Sequence, residues 1–145
     1  MSIHMQKKSA HLILLGLLLF IMGLLVGLSI QFLPNPRMGL SAHLEGIMNG
    51  MFLMLLGLLW DRLVLSKEMT SIAFYLVVYS AFANLLAVLI GAATGFGKMM
   101  PIAGGIEGSL FIESIIGFLL ISLTLTMLTA CGIIFFGFYR YMRNK

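Results

Sequence analysis

The chain has 145 residues, of which 61% are hydrophobic and only 10% charged, with a formal net charge of +4. Soluble domains carry about 25% charged residues and under half apolar ones, so there is too little polar surface here to wrap a core; a water-soluble fold is excluded and lipid is the expected solvent. The basic residues sit at the ends of apolar runs rather than in a patch, which excludes nucleic acid as a partner and points to membrane orientation.

A helix needs about 20 apolar residues to cross the hydrocarbon, and four stretches reach that length: about 11–33, 41–64, 70–94 and 110–139. The expected fold is all-α, a four-transmembrane-helix bundle forming a single integral membrane domain over residues 1–145. Lys7 and Lys8 ahead of the first apolar run superficially resemble a secretory signal. The run from Leu12 to Leu33 is too long for one and lacks a small-residue cleavage site, so it reads as a retained first helix. It carries Gly23 and Gly27 at helix-packing spacing and stops at Pro34-Asn35-Pro36-Arg37.

The second helix opens near Ser41, a suitable N-cap, and carries His43, Glu45 and Asn49 among apolar neighbours. Ionisable groups are expensive in lipid and default to functional candidates. On a wheel of about 100° per residue, Gly46, Gly50 and Gly57 all fall within about 60° of His43. Two readings of that glycine track stay open. It is either a trough beside the imidazole that admits a flat group ligated by the ring, such as an iron porphyrin, or a seam where another helix approaches closely. Asn49 shares a face with Glu45.

Polar Asp61 to Glu68 separate the second helix from the third. The third carries Ala83, Ala87, Gly91 and Gly95 at small-residue spacing, with Tyr79, Ser80 and Asn84 inside its span. Asn49 and Asn84 either bond neighbouring helices or present amides to a small polar substrate. A Gly-rich segment from Gly95 to Gly108 follows. The fourth helix begins near Glu107 and Glu113, and its Ser122, Thr124, Thr126 and Thr129 are expected to bond back to their own helix.

Lys7, Lys8, Arg62, Lys67, Arg140, Arg143 and Lys145 would share one side, and only Arg37 and Lys98 the other. The positive-inside rule then places both termini in the cytoplasm, as a multi-pass protein of the cell inner membrane. Trp60, Tyr139 and Tyr141 fall where an interfacial aromatic belt belongs. The only cysteine, Cys131, allows no disulfide within the chain, and no C-x-x-C-H site for covalent haem is present.

The run Asn35-Pro36-Arg37-Met38-Gly39-Leu40-Ser41-Ala42-His43-Leu44-Glu45-Gly46-Ile47-Met48-Asn49-Gly50 resembles the signature of hydroxylaminobenzene mutases. Tyr79 to Asn84 and Gly97-Lys98-Met99-Met100-Pro101-Ile102-Ala103 resemble the third helix and following loop of the same family. These mutases are in turn similar to styrene oxide isomerases, sharing a His, an Asn six residues later and then a Gly, here His43, Asn49 and Gly50. The resemblance implies a homotrimer with haem b at subunit interfaces, His43 as the axial iron ligand and Asn49 facing substrate. Where the isomerases have a tyrosine one turn beyond the third-helix Asn, this chain has Val88. Where they have an aspartate one turn before it, this chain has Ser80.

The implied reaction is therefore the mutase one, converting an N-aryl hydroxylamine to a 2-aminophenol, with epoxide isomerisation the alternative. On this reading ferric haem on His43 acts as Lewis acid beside Gly46 and Gly50, and Arg37 pairs with a haem propionate. Asn49 and Asn84 orient substrate, and Glu45 or Glu113 carries protons. The rival class is a non-catalytic channel or anchor subunit. A transporter usually has more intramembrane charge or broken helices, and a two-histidine cytochrome b would need a second well-placed histidine; His4 and His11 read as ordinary interfacial residues.

Overall fold

The computed structural model describes residues 3–144, with side chains from Met5 onward. Lys145 and the side chain of His4 lie outside the described residues. Four helices are long and apolar enough to cross a membrane: α1 (Ile3–Ser29), α2 (Pro36–Leu59), α3 (Lys67–Thr94) and α4 (Leu110–Arg143). Among the described residues there is no strand, only an isolated bridge between Phe96 and Ile106.

The helices extend beyond their apolar stretches. α1 begins at Ile3 rather than 11, because Gln6-Lys7-Lys8-Ser9 contains no helix breaker. It ends at Ser29 in a 3-10 turn, Ile30–Phe32, just ahead of Pro34. Ser41 is not the cap of α2. Asn35 is: its side chain accepts the Met38 N–H at 3.1 Å, and Pro36 takes the first helical position, where a fixed φ helps and no N–H is missed. Ser41 lies inside the helix and donates to the Arg37 carbonyl at 3.3 Å. Ser66 caps α3 by accepting the Met69 N–H at 3.2 Å, and Gly95, with φ of 77°, ends it in the left-handed conformation that glycine adopts without cost.

The glycine track on α2 is a seam. A Cβ on Gly46 would come within 2.5 Å of the Gly23 Cα, and one on Gly50 within 2.7 Å of the Gly16 carbonyl oxygen. The backbones of α1 and α2 therefore touch, as small-residue faces permit. Ser9 fastens the far end of this pair by donating to the Gly57 carbonyl at 2.7 Å.

α3 lies at the centre of the bundle and α4 at its edge: over the apolar 18-residue stretch of each helix, 50% of α3 is buried but only 11% of α4. α4 is held to α3 by hydroxyl pairs, Ser80 with Thr126 at 2.7 Å and Tyr79 with Ser122 at 2.6 Å. Each such bond contributes about 0.6 kcal/mol in a membrane. Ser122, Thr124, Thr126 and Thr129 all bond back to carbonyls of α4, as their sequence spacing predicts.

Two residues expected at the headgroups turn inward instead. Lys8 is buried, donating to the Ser71 hydroxyl with its ammonium over the Phe74 ring. Trp60 is fully buried, edge-on to the same Phe74 at 6.3 Å between centroids. A three-dimensional neighbour, Phe74, gives both of them an apolar surface to cover, which linear position does not reveal.

Candidate active site

Between α2, α3, α4 and the Gly95–Gly108 segment lies a cavity of about 620 Å³. Its polar groups come from Arg37, Ser41 and Glu45 of α2 and Asn84 of α3; Val88, Met100, Ile102 and Leu120 give it apolar walls. Polar groups converging in an otherwise apolar recess are the usual form of a small-molecule site.

Glu45 organises this recess. One carboxylate oxygen, Oε2, accepts from the Asn84 amide across the α2–α3 interface and from the Asn49 amide one turn along α2, at 3.2 Å. Oε1 makes no hydrogen bond to a described residue and is not among the buried unpaired atoms, so it is open on the cavity side. Three of the residues singled out in the sequence thus meet: Glu45, Asn49 and Asn84. Asn49 is buried behind Glu45 and does not line the cavity, so its amide holds the carboxylate rather than facing the recess.

His43 leaves α2 on the other side, roughly 160° around the helix from Glu45. Its Nδ1 lies 2.8 Å from the Gly23 carbonyl oxygen, and the ring packs on Gly27, where a Cβ would come within 2.6 Å of Nδ1. A carbonyl only accepts, so Nδ1 carries the proton and the lone pair is on Nε2. Nε2 has no hydrogen-bond partner among the described residues and is not buried. A metal-bound histidine characteristically donates its other ring N–H to a carbonyl in this way, which fixes the tautomer and the ring orientation.

The donor therefore fits the haem implied by the resemblance. One imidazole nitrogen is what a haem asks of the protein as an axial ligand. The trough does not fit. Gly46 and Gly50 are closed against α1 and cannot cradle a porphyrin, because their missing side chains are used for helix approach.

Glu113 stands apart from the recess. It is 7% exposed, and its oxygens accept the backbone N–H groups of Gly97 at 3.0 Å, Gly108 at 3.1 Å and Lys98 at 3.2 Å. Its carboxylate gathers the segment that supplies Met100 and Ile102 to the cavity wall, so its proton-carrying role gives way to a positioning one. Asn35 fastens the same segment from α2, donating to the carbonyls of Ala103 at 3.2 Å and Gly104 at 3.0 Å. Glu113→Ala would strand the N–H groups of Lys98 and Gly108, while that of Gly97 keeps the Ile106 carbonyl at 3.0 Å; each stranded donor costs about 1–3 kcal/mol where buried. Limited proteolysis should then cut between residues 95 and 108 and KM should rise, with Glu113→Gln intermediate because its carbonyl oxygen still accepts.

Arg37 is exposed at the mouth of the recess. Val88, where the isomerases have tyrosine, is a cavity wall, and Ser80, where they have aspartate, is buried in the α3–α4 interface. Nothing in the sequence marks Ser41, Val88, Met100 and Leu120 as lining residues. For the loop the signal was present, since Met100-Pro101-Ile102-Ala103 belongs to a segment carrying the family resemblance, but nothing in one sequence says that it folds back over α2.

The fold and site define a small polytopic membrane enzyme with a carboxylate–amide cluster in an apolar recess. The sequence profile of the styrene oxide isomerase family matches residues 8–139, and the chain belongs to that family and is an isomerase. It is 45% identical over 143 residues to hydroxylaminobenzene mutase HabB of Ectopseudomonas oleovorans, covering 94% of this chain and 87% of that one. It is 41% identical over 127 residues to hydroxylaminobenzene mutase HabA of the same organism, covering 86% of this chain and 94% of the relative. No solved structure matches the chain.

Proposed function

We propose that this isomerase is a mutase converting N-aryl hydroxylamines to 2-aminophenols, with haem b held by His43. The observation that carries the reading is the Glu45 carboxylate, fixed by two amides with one oxygen open to an apolar recess, in a chain whose relatives are named hydroxylaminobenzene mutases. Val88 in the recess wall disfavours the epoxide alternative, since it removes the phenol that the resemblance would place there.

The rearrangement breaks the N–O bond, forms a C–O bond at the ortho carbon and moves one proton from that carbon to nitrogen, with no net redox change. Nε2 of His43 would hold the haem, whose ferric iron would supply Lewis acidity toward the N–O group. The chain's residues do the rest. Leu40, Val88, Met100 and Leu120 exclude water and keep the departing hydroxyl from bulk solvent. Asn84 orients the polar end of the substrate. Oε1 of Glu45 is the base that takes the ortho proton and returns it to nitrogen. Arg37, at the mouth, is the partner for an anionic haem propionate.

His43 and Glu45 leave α2 in opposite directions, so one subunit does not present both to one small substrate. A homotrimer supplies the missing half from a neighbouring copy. Lys7, Arg62, Lys67, Arg140 and Arg143 crowd one end of the helices, with Arg37 and Lys98 at the other. By the positive-inside rule that asymmetry supports a reading with both termini in the cytoplasm of a cell whose inner membrane holds the protein.

Purified protein incubated with phenylhydroxylamine should give 2-aminophenol without added reductant or oxidant. A 4-aminophenol product, or none, would remove the mutase assignment.

A further inference from the structure

A second recess adjoins the first. It measures about 420 Å³ and is lined by Met99, Met100, Leu120, Ile121, Thr124 and Leu125. Met100 and Leu120 line both recesses, so these two side chains form the partition between them. The two sides differ in character. Beyond the partition lie Glu45 and Asn84; on this side the only side-chain polar group other than thioether sulfur is the Thr124 hydroxyl, which is already committed to the Leu120 carbonyl at 2.7 Å.

The second recess opens onto an exposed apolar side of α4. Met99, Ile121 and Leu125 are exposed, and residues 120–125 lie well inside a 34-residue helix, at hydrocarbon depth. Met99 is set against Gly117, where even a Cβ would stand 3.4 Å from its sulfur. Methionine is the flexible apolar side chain suited to a wall that must yield.

We propose that this groove is the doorway through which the aryl ring of the substrate passes from the bilayer to the carboxylate–amide cluster, with Met100 and Leu120 as the gate. The proposal rests on the mutase reading for its substrate class. An aryl hydroxylamine has one apolar and one polar end. A ring dissolved in lipid enters an apolar groove without rehydration, and its N–O end then meets the polar groups beyond the partition, among them Glu45 and Asn84. The volume is ample, since a cavity of roughly 150 Å³ takes a benzene in another protein.

The test uses the whole protein in phosphatidylcholine vesicles. Irradiation with phenyl azide, followed by peptide mapping, should place adducts on Met99 and on residues 120–125, and Thr124→Trp should remove them. In the same vesicles Thr124→Trp should lower kcat/KM for phenylhydroxylamine about tenfold through KM, leaving kcat and the haem absorbance unchanged. Leu125→Trp should act alike, and Leu128→Trp, one turn further along α4 and outside the groove, should do neither. Groove labelling that is absent in the wild type or survives Thr124→Trp would overturn the doorway. So would a fall in kcat alone, or dissociation of the oligomer by Thr124→Trp, which would make the groove a subunit contact. Groove adducts in a protein that does not turn over phenylhydroxylamine would keep the doorway and sink the mutase assignment instead.

Discussion

His43→Ala should give protein without a Soret band and with turnover reduced to background. The ring is set by one hydrogen bond, from Nδ1–H to the Gly23 carbonyl at 2.8 Å, and by contact with Gly27. Removing it deletes the nitrogen donor proposed as axial ligand and leaves a slot against α1. Added imidazole should enter that slot and restore part of the band, since the Gly23 carbonyl remains to orient it. Gly27→Ala offers a finer check. The new methyl would press on Nδ1 and tilt the ring, so the band should shift or weaken while the imidazole is still present. Such outer-shell changes typically cost about 10–100-fold in metal affinity or activity. Colourless wild-type protein with full activity would sink the haem reading while leaving the carboxylate chemistry standing.

Glu45→Gln should keep the haem and lose about 10²–10⁴-fold in kcat, the usual contribution of a positioned proton carrier. The substitution is close in shape, and a carbonyl oxygen can still accept from Asn49 and Asn84, so the helices should stay paired. Stability and the absorption spectrum are the controls. Asn84→Ala should be milder, about tenfold, raising KM as well as lowering kcat, because it loses both a substrate contact and one hydrogen bond to Oε2. Asn49→Ala should lower kcat with little change in KM, since Asn49 touches Glu45 from behind and does not line the recess. Equal kcat for Glu45→Gln and the wild type would reduce the cluster to a structural bond between α2 and α3.

The two predictions concern opposite faces of one helix, and that opposition decides how the site is assembled. Wheel geometry already separates His43 from Glu45, but it does not say which neighbour each face meets. The fold gives α1 to the histidine face and α3 to the carboxylate face. Glu45, Asn49 and Asn84 could be selected from the sequence because ionisable and amide groups within a lipid-spanning helix are costly and rarely idle. Glu113 satisfied the same criterion and turned out to hold a loop. Cost alone says that a polar group has a partner, not what the partner is.

Composition and hydropathy determined the four spans and their order without any fold, because the transfer of a residue to lipid is nearly a local property and sums along the chain. Capping depends on a few adjacent residues, and it too was readable in principle, although the choice of Asn35 over Ser41 required weighing Pro36. Only the tertiary structure decided that the glycine track is a seam, that Lys8 and Trp60 turn inward, and that the Gly-rich segment folds over α2. Between helices in lipid there is no hydrophobic drive to choose a face. Association is settled by which surfaces interlock and which polar groups find partners, and that information resides in pairs of residues far apart in the chain.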